Sequence, residues 1–173
     1  MSFNYKPTVT RRAFVASSLA GVMSATLPFP RMAEAATRKF SLRAAPGRTR
    51  LVPEPHPDTA AWCYNGKVPG PEIRIRQGDR LQVEVMNDLA EETTVHWHGI
   101  RLPNAMDGVP HLTQAPIAPG DRFVYEFDAL DAGTFWYHPH QRSFEQVGRG
   151  LYGPLIIDEA NPPRVDRDVT WVL

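Results

Sequence analysis

Apolar and polar residues alternate one by one in several short runs of this sequence. The pattern is clearest in RLQVEVMND at 80–88, RFVYEFD at 122–128 and EIRIR at 72–76. Because successive side chains of a β-strand point to opposite faces, this alternation favours strands with one buried face and one solvated face. Turn signals such as NGKVPGP at 65–71 and APGD at 118–121 separate the runs, and no stretch has a convincing helical period. The sequence therefore predicts an all-β domain, either a β-sandwich or a barrel.

The composition agrees with a folded β domain. Hydrophobic residues make up 42% of the chain, which is enough to build a packed core and argues against wholesale disorder. The 17 prolines lie mostly between the apolar runs, a placement that suits a protein with many turns better than a helical one.

Residues 1–35 contain the features of an export signal in the expected order along the sequence. Arg11 and Arg12 precede a mildly apolar stretch, and Ala33 and Ala35 supply the small residues that a signal peptidase accepts. The stretch is too short, and too interrupted by proline, to cross a membrane as a helix. The paired arginines resemble a twin-arginine signal, which exports proteins that have already folded. We expect a periplasmic or secreted protein; a disordered basic tail is the alternative interpretation.

The charge of the remaining chain excludes one class of partner. Of the 19 basic and 19 acidic residues, four basic ones and one acidic one lie in residues 1–35, which leaves 15 against 18. This mildly acidic remainder forms no basic patch that would bind nucleic acid. The only cysteine, Cys63, has no partner for an internal disulfide.

Four of the six histidines form two His-x-His pairs, His96 with His98 and His138 with His140. Residues two apart in a strand share a face, so each pair directs two imidazoles to one side, about 6–7 Å apart. That spacing suits two adjacent metal ions better than one. Trp97 points the other way, into the expected core. Pro139 cannot donate to a sheet ladder, so the second pair belongs at a strand end or edge.

Two such pairs on neighbouring strands would place four imidazoles at one rim of the domain. Imidazole is a ligand for copper and for zinc. A single His-x-His is more often an ordinary surface or core pair, whereas two copies in one small β domain favour a metal site. A mononuclear zinc site would more naturally use a closed set of His, Cys and carboxylate ligands, and no cysteine lies near these pairs in the sequence.

The motifs HWHGI, MDGVPHLTQAPIAPGDRFVYEF and AGTFWYHPH, in that order, resemble the amino-terminal cupredoxin domain of the multicopper oxidases, the laccase family. NGKVPGPEIRIRQGDRLQVEVMNDL matches the early strands of the same family. The resemblance implies a cupredoxin-like Greek-key β-sandwich over residues 36–160. Residues 161–173 are then a linker and the beginning of a truncated second domain, since DVTWVL predicts the start of another strand.

The resemblance also implies a function. Multicopper oxidases contain a type 1 copper, which takes electrons from a reducing substrate, and a trinuclear cluster, which reduces dioxygen to water. The cluster is held by four His-x-His pairs, two from the first domain and two from the last. By position, His96 resembles the type 2 copper ligand, His98 and His138 would share one type 3 copper, and His140 would bind the other. Asp107 matches a buried acid that helps to deliver protons, although an Asp-Gly turn residue is an equally good interpretation.

The sequence also departs from the family pattern. The type 1 site needs a cysteine flanked by histidines, but Cys63 has no histidine after it until His96, so we predict a small buried apolar residue there. His56 and His111 are expected in loops without a ligand role. The second set of His-x-His pairs is absent.

We therefore expect the copper-binding amino-terminal domain of a multicopper oxidase. Its partners would be copper ions, dioxygen, an unidentified reducing substrate, and further cupredoxin domains in cis or in trans. The chain would carry half of the trinuclear cluster as a fragment, a truncated product or one half of a two-chain enzyme. The alternative is a stand-alone periplasmic protein that binds or stores copper. A blue-copper electron carrier is disfavoured because its Cys/His/Met ligand set is missing.

Overall fold

The computed structural model describes residues 35–172, so the predicted export signal lies outside the described residues except for Ala35. Strands dominate this part of the chain, in the order β1 (Thr37–Thr49), β2 (Thr59–Tyr64), β3 (Ile73–Arg76), β4 (Arg80–Asn87), β5 (His96–His98), β6 (Arg122–Asp128), β7 (Gly133–His138) and β8 (Gly153–Asp158). A 3₁₀ turn (Asn104–Met106) follows β5, and a short helix α1 (Ser143–Gln146) follows β7. None of the described residues forms a helix with the length and apolarity that a membrane crossing requires.

The strands form two four-stranded sheets, with the orders β2-β1-β4-β6 and β3-β8-β7-β5. The first half of β1 pairs with β4 in parallel, and its second half pairs with β2 in antiparallel orientation. Strand β6 completes the first sheet against β4, whereas β5, β7 and β8 run antiparallel in the second sheet. The chain crosses between the sheets at β3, β4, β5, β6 and β7, so each sheet is assembled from distant parts of the sequence. The predicted all-β sandwich is confirmed.

The alternating residues of the sequence face the space between the sheets. On β4 and β6 of the first sheet and β3 of the second, the buried apolar side chains are Leu81, Val83, Val85, Tyr125, Phe127, Ile73 and Ile75. Phe123 also belongs to this alternation; it is half-buried and packs against the core. The apolar surface removed from water along these strands is the main stabilising contribution to the fold.

Trp97 lies at the centre of this core and has no exposed surface. Its indole contacts Tyr125 and Phe127 of the first sheet, at ring-centroid distances of 5.6 and 5.3 Å. It also contacts Tyr137 of its own sheet at 5.9 Å. One side chain of β5 therefore joins both sheets, as predicted for the residue between the two histidines.

Two local predictions from the sequence need correction. The sequence shows no helix, yet α1 forms, because a helix of four residues is too short to display a helical period. The prediction of a strand beginning in DVTWVL is wrong for the described residues, since 159–172 contain neither helix nor strand. A strand needs a neighbouring strand whose backbone groups pair with its own. In this segment Asp168 contacts Arg74 of β3 through its side chain, and Trp171 is largely exposed.

Asp79 anchors the tight turn that carries the chain from β3 in the second sheet to β4 in the first. The carboxylate is 6% exposed. It accepts hydrogen bonds from the backbone N–H groups of Arg76 and Ala36, at 3.1 and 3.2 Å, and from the Arg38 guanidinium at 3.1 Å. Burial alone would raise the pKa of this carboxyl, but the donors of Arg76, Ala36 and Arg38 outweigh burial and lower it.

We expect Asp79→Asn to reduce the free energy of unfolding by about 2–4 kcal/mol at neutral pH, because it removes the charge to which three groups donate. A carboxyl whose pKa is lower in the folded state stabilises the fold fully above its ordinary pKa. That contribution disappears as the pH falls through the folded-state pKa, so the difference between the two proteins should shrink in acid. Urea unfolding at neutral and acidic pH measures the effect.

Asp121→Asn is the matched control for this experiment. Asp121 follows a glycine in another turn, but its side chain is exposed. We expect its replacement to change stability by less than about 0.5 kcal/mol. Equal losses for the two variants at neutral pH, or a loss at Asp79 that does not vary with pH, would contradict the role assigned to the buried carboxylate.

Candidate metal centre

Strands β5 and β7 bring the two His-x-His pairs together. They pair in antiparallel orientation with His96 directly opposite His138 and with His98 opposite Trp136. Directly opposed residues share a face of the sheet, so these side chains project to the same side, away from Trp97. Strand β7 ends at His138. The predictions that the pairs lie on neighbouring strands, and that the second pair lies at a strand end, are both confirmed.

The four imidazoles form one cluster. The rings of His96 and His140 are closest, with centroids 4.1 Å apart, and the His96–His138 distance is 5.4 Å. Ring nitrogens of His96, His138 and His140 lie within 4.8 Å of one another, a group that could hold a metal ion. His98 lies outside this group of three, but its Nδ1 is 3.3 Å from Nε2 of His138.

Hydrogen bonds to backbone carbonyls orient two of the rings. Nδ1 of His96 lies 2.7 Å from the carbonyl oxygen of Asp107, and Nδ1 of His138 lies 3.1 Å from that of Pro139. A carbonyl oxygen only accepts, so each Nδ1 carries the proton and donates it. Each Nε2 therefore has a free lone pair, which is the form of imidazole that binds a metal.

The contact between His98 and His138 fits a shared ion. Nδ1 of His98 and Nε2 of His138 face each other at 3.3 Å. Two imidazole nitrogens this close could bind one cation together, and imidazole is a ligand for copper and zinc.

The protonation states also suit a metal site. Burial is the main cause that lowers the pKa of His138 to about 4; the hydrogen bond to Pro139 opposes it, and the neighbouring imidazoles act in the same direction as burial. Burial, followed by the proximity of His96, also lowers the pKa of His140. Both rings are therefore neutral at pH 7 and need lose no proton before they bind a cation.

Asp107 lies beside this cluster, in the turn that follows the 3₁₀ helix. Its carboxylate Oδ1 is 3.2 Å from Nδ1 of His96, next to the shorter bond made by its own carbonyl. The side chain is 31% exposed, rather than buried as the resemblance implies. Gly108 follows with a φ of 75°. Asp107 is therefore a turn residue whose carboxylate also lies beside a ring of the cluster.

The remaining histidines and the cysteine lie elsewhere. His56 and His111 occupy exposed loops, and within residues 35–172 neither joins a group of three potential metal ligands. Cys63 of β2 is 1% exposed and packs against Gly47, which confirms the prediction of a small buried residue.

Sequence reasoning missed three residues near the cluster. Trp136 stacks on His138, with ring centroids 3.9 Å apart and an interplanar angle of 24°. Strand alternation could have found it, since Trp136 lies two residues before His138. Thr94 accepts the backbone N–H of His140 at 3.2 Å. Gln146 is completely buried within α1, where a single turn gives the sequence no periodic signal.

Comparisons with known proteins agree with this architecture. A family model described as "Multicopper oxidase" matches residues 47–162. The copper resistance protein A homolog of Pseudomonas syringae pv. tomato is 49% identical over 102 residues, which are 59% of this chain and 17% of that protein. Multicopper oxidase MmcO of Mycobacterium tuberculosis is 36% identical in an alignment of 185 positions that covers 97% of this chain and 36% of that protein. The chain thus spans only a minor part of the length of these relatives.

Solved structures show the same similarity. The crystal structure of a multicopper oxidase from Pseudomonas thermotolerans has a TM-score of 0.71 and 53% identity, over 75% of this chain and 31% of that chain. Lac15 from a marine microbial metagenome has a TM-score of 0.70 and 50% identity, over 73% of this chain and 34% of that chain. The expected cupredoxin-like sandwich is confirmed. A family match over more than half of the sequence, together with this fold, shows that the chain belongs to the multicopper oxidase family.

Proposed function

We propose that the chain is the copper-binding amino-terminal domain of an enzyme that couples one-electron oxidation of a substrate to four-electron reduction of dioxygen to water. The meeting of two His-x-His pairs at one end of β5 and β7 carries this proposal. Neutral, oriented imidazoles suit copper. Copper bound there would supply the redox chemistry, and the protein would supply the ligands, their orientation and protons.

The four histidines would serve different ions. The family resemblance assigns His98 and His138 to one type 3 copper, and the 3.3 Å distance between their facing nitrogens supports a shared ion. His140 would bind the second type 3 copper. His96 would bind the type 2 copper through Nε2, since the Asp107 carbonyl occupies its Nδ1.

This ligand set leaves the coordination of each ion open. Further imidazoles would come from another cupredoxin domain, joined in cis or supplied in trans, and the greater length of the relatives supports this arrangement. That domain would also provide the type 1 copper and the site of the reducing substrate, because Cys63 is buried in β2 away from the cluster. We therefore propose that the chain alone is inactive as an oxidase.

Asp107 would act as a proton donor near the cluster. Its carboxylate is partly exposed, so it can exchange protons with solvent, and it lies 3.2 Å from the ring of His96. A group with both contacts can pass protons towards oxygen as it is reduced. Its backbone carbonyl would perform a separate task, since it orients His96 whatever the charge of the side chain.

Residues 1–35 support an export proposal. The paired arginines and the small residues at the end of this segment suit a twin-arginine signal, so we propose a periplasmic or secreted location. Fractionation of cells that express the full chain tests this, because a purely cytoplasmic, uncleaved product would contradict it.

A second candidate function is a stand-alone protein that binds or stores copper. The exposure of His98 at the edge of the cluster favours it, because an open imidazole patch can exchange ions with solvent. The two functions differ in the expected affinity, since storage demands tight occupancy by the isolated chain.

We expect weak, partial uptake of Cu(II) by the isolated chain, measured by equilibrium dialysis. The double change His98→Ala, His138→Ala should remove most of it, because it removes both ligands of the proposed shared ion and leaves only His96 and His140. Binding should also quench the fluorescence of Trp136, which stacks on His138.

The double change His56→Ala, His111→Ala is the matched control, because it removes two exposed loop histidines. It should bind copper like the wild type. Undiminished binding after loss of His98 and His138 would refute the copper site. Tight binding of three ions by the monomer would instead support storage and contradict the proposal of an open half-site.

A further inference from the structure

The backbone hydrogen-bond ladder between β5 and β7 ends before it reaches His140, the last residue of the second histidine pair. The register places His96 opposite His138, and its continuation places Thr94 opposite His140. Pro139 has no N–H, so the ladder ends before His140 is reached. Beyond the ladder, the backbone N–H of His140 donates to the Thr94 hydroxyl oxygen at 3.2 Å. A side-chain hydroxyl thus takes the place of a strand carbonyl.

Thr94 is itself held firmly. It is completely buried, as is its neighbour Thr93. The hydroxyl of Thr93 donates to Oε1 of Gln146 at 2.7 Å. Nε2 of Gln146 donates to the carbonyl oxygen of Glu92 at 2.8 Å and to the carboxylate of Glu91 at 2.9 Å. Since two acceptors face Nε2, the amide of Gln146 has one orientation, with its oxygen towards Thr93.

These hydrogen bonds connect two segments of the chain that flank the histidine cluster. Residues 91–94 end one residue before β5, and α1 begins three residues after His140. The Gln146 side chain therefore joins the segment that enters the first histidine pair to the segment that leaves the second. A buried hydrogen-bonded network holds its members in one arrangement. His96 follows the first of these segments and His140 precedes the second, and their rings are 4.1 Å apart.

We propose that Thr94 is a positioning residue for His140. Its hydroxyl fixes the His140 backbone where the strand ladder can no longer do so, and the bond between Thr93 and Gln146 fixes Thr94. The imidazole of His140 is then preset beside that of His96, which lowers the cost of ordering it when an ion binds. This inference rests on the proposed copper site and deepens it.

Thr94→Val tests the inference, because valine has nearly the same shape but cannot accept the His140 N–H. We expect its Cu(II) affinity to fall about three- to tenfold, the effect of losing one hydrogen bond. Thr94→Ser keeps the hydroxyl and should restore affinity to within about twofold of the wild type. Thr134→Val is the control, since Thr134 lies on β7, the strand that leads to His140, but is exposed. Equilibrium dialysis of the apo chain against Cu(II) measures all four proteins.

A double-mutant cycle separates positioning from general destabilisation. In a His140→Ala background there is no imidazole to position, so Thr94→Val should cause no further loss of affinity. The inference fails if the two losses add, or if Thr94→Val binds copper like the wild type. Should Thr94→Val not fold, Thr93→Val decides the matter, because it breaks the bond to Gln146 and should weaken binding only when His140 is present.

The same measurements test the copper site itself. Binding that is unchanged in both His138→Ala and His140→Ala would refute the site, whatever Thr94 does. Binding that depends on both histidines but not on Thr94 would refute the positioning role alone.

Discussion

The 173-residue chain, purified and supplied with copper, should consume no dioxygen in the presence of a phenol or another one-electron donor. Four-electron reduction needs an entry site for electrons and a closed cluster. The single cysteine, Cys63, is buried in β2, and the rim of β5 and β7 offers four imidazoles for a cluster that the family builds from eight. Under the half-site proposal both requirements are unmet, so we expect complete inactivity rather than a reduced rate.

Addition of a carboxyl-terminal cupredoxin half from a close relative, with copper, should restore oxygen uptake. The added half must bury the rim and align its own histidines closely, since catalytic geometry tolerates little displacement. His138→Ala should abolish the restored activity. Asp107→Asn should lower it mainly in the oxygen-reduction step, because the backbone carbonyl that orients His96 is retained.

An oxygen electrode with a one-electron donor provides the measurement, and the His56→Ala, His111→Ala protein provides the control with intact cluster residues. Robust turnover by the chain alone, with the blue colour of a copper–thiolate site, would contradict the half-site proposal. Restoration that survives His138→Ala would show that the added half, and not this rim, supports the reaction.

Gly108→Ala should be the most damaging single change to the fold. Gly108 has a φ of 75°, and a Cβ there would lie 1.9 Å from the carbonyl oxygen of Val95 and 2.9 Å from the backbone nitrogen of His96. Backbone atoms cannot rotate away as a side chain can, so either the turn after Asp107 or β5 must move. We expect a loss of at least about 4 kcal/mol in the free energy of unfolding, or failure to fold.

Gly66→Ala is the matched control, because Gly66 has nearly the same φ, 73°, and nothing lies within 4 Å of the added carbon. It should cost about 1–2 kcal/mol, the strain of a left-handed alanine alone. Urea unfolding compares the two variants. Equal stabilities would show that the turn does not press against β5 as described.

The sequence predicted burial best where the local alternation of apolar and polar residues determines which side chains face the core. The period of two identified the buried faces of β3, β4 and β6, and the residue between the two histidines of β5 was correctly predicted to be buried. It could not reveal contacts that depend on distant segments. Thr94 faces His140 only because β5 and β7 pair in one register, and Gln146 is buried only because α1 packs against residues 91–93.

Trp97 opposes any change in the register of β5. A slip of β5 by one residue would bury an imidazole in the core and expose the indole to water, and both changes would destabilise the fold. The indole also touches both sheets, which means that core substitutions near Tyr125 or Phe127 will disturb the backbone beneath the histidines. An engineer who wanted a different ligand set on this strand would therefore have to redesign the interior first, and natural drift at this triplet should be correspondingly slow.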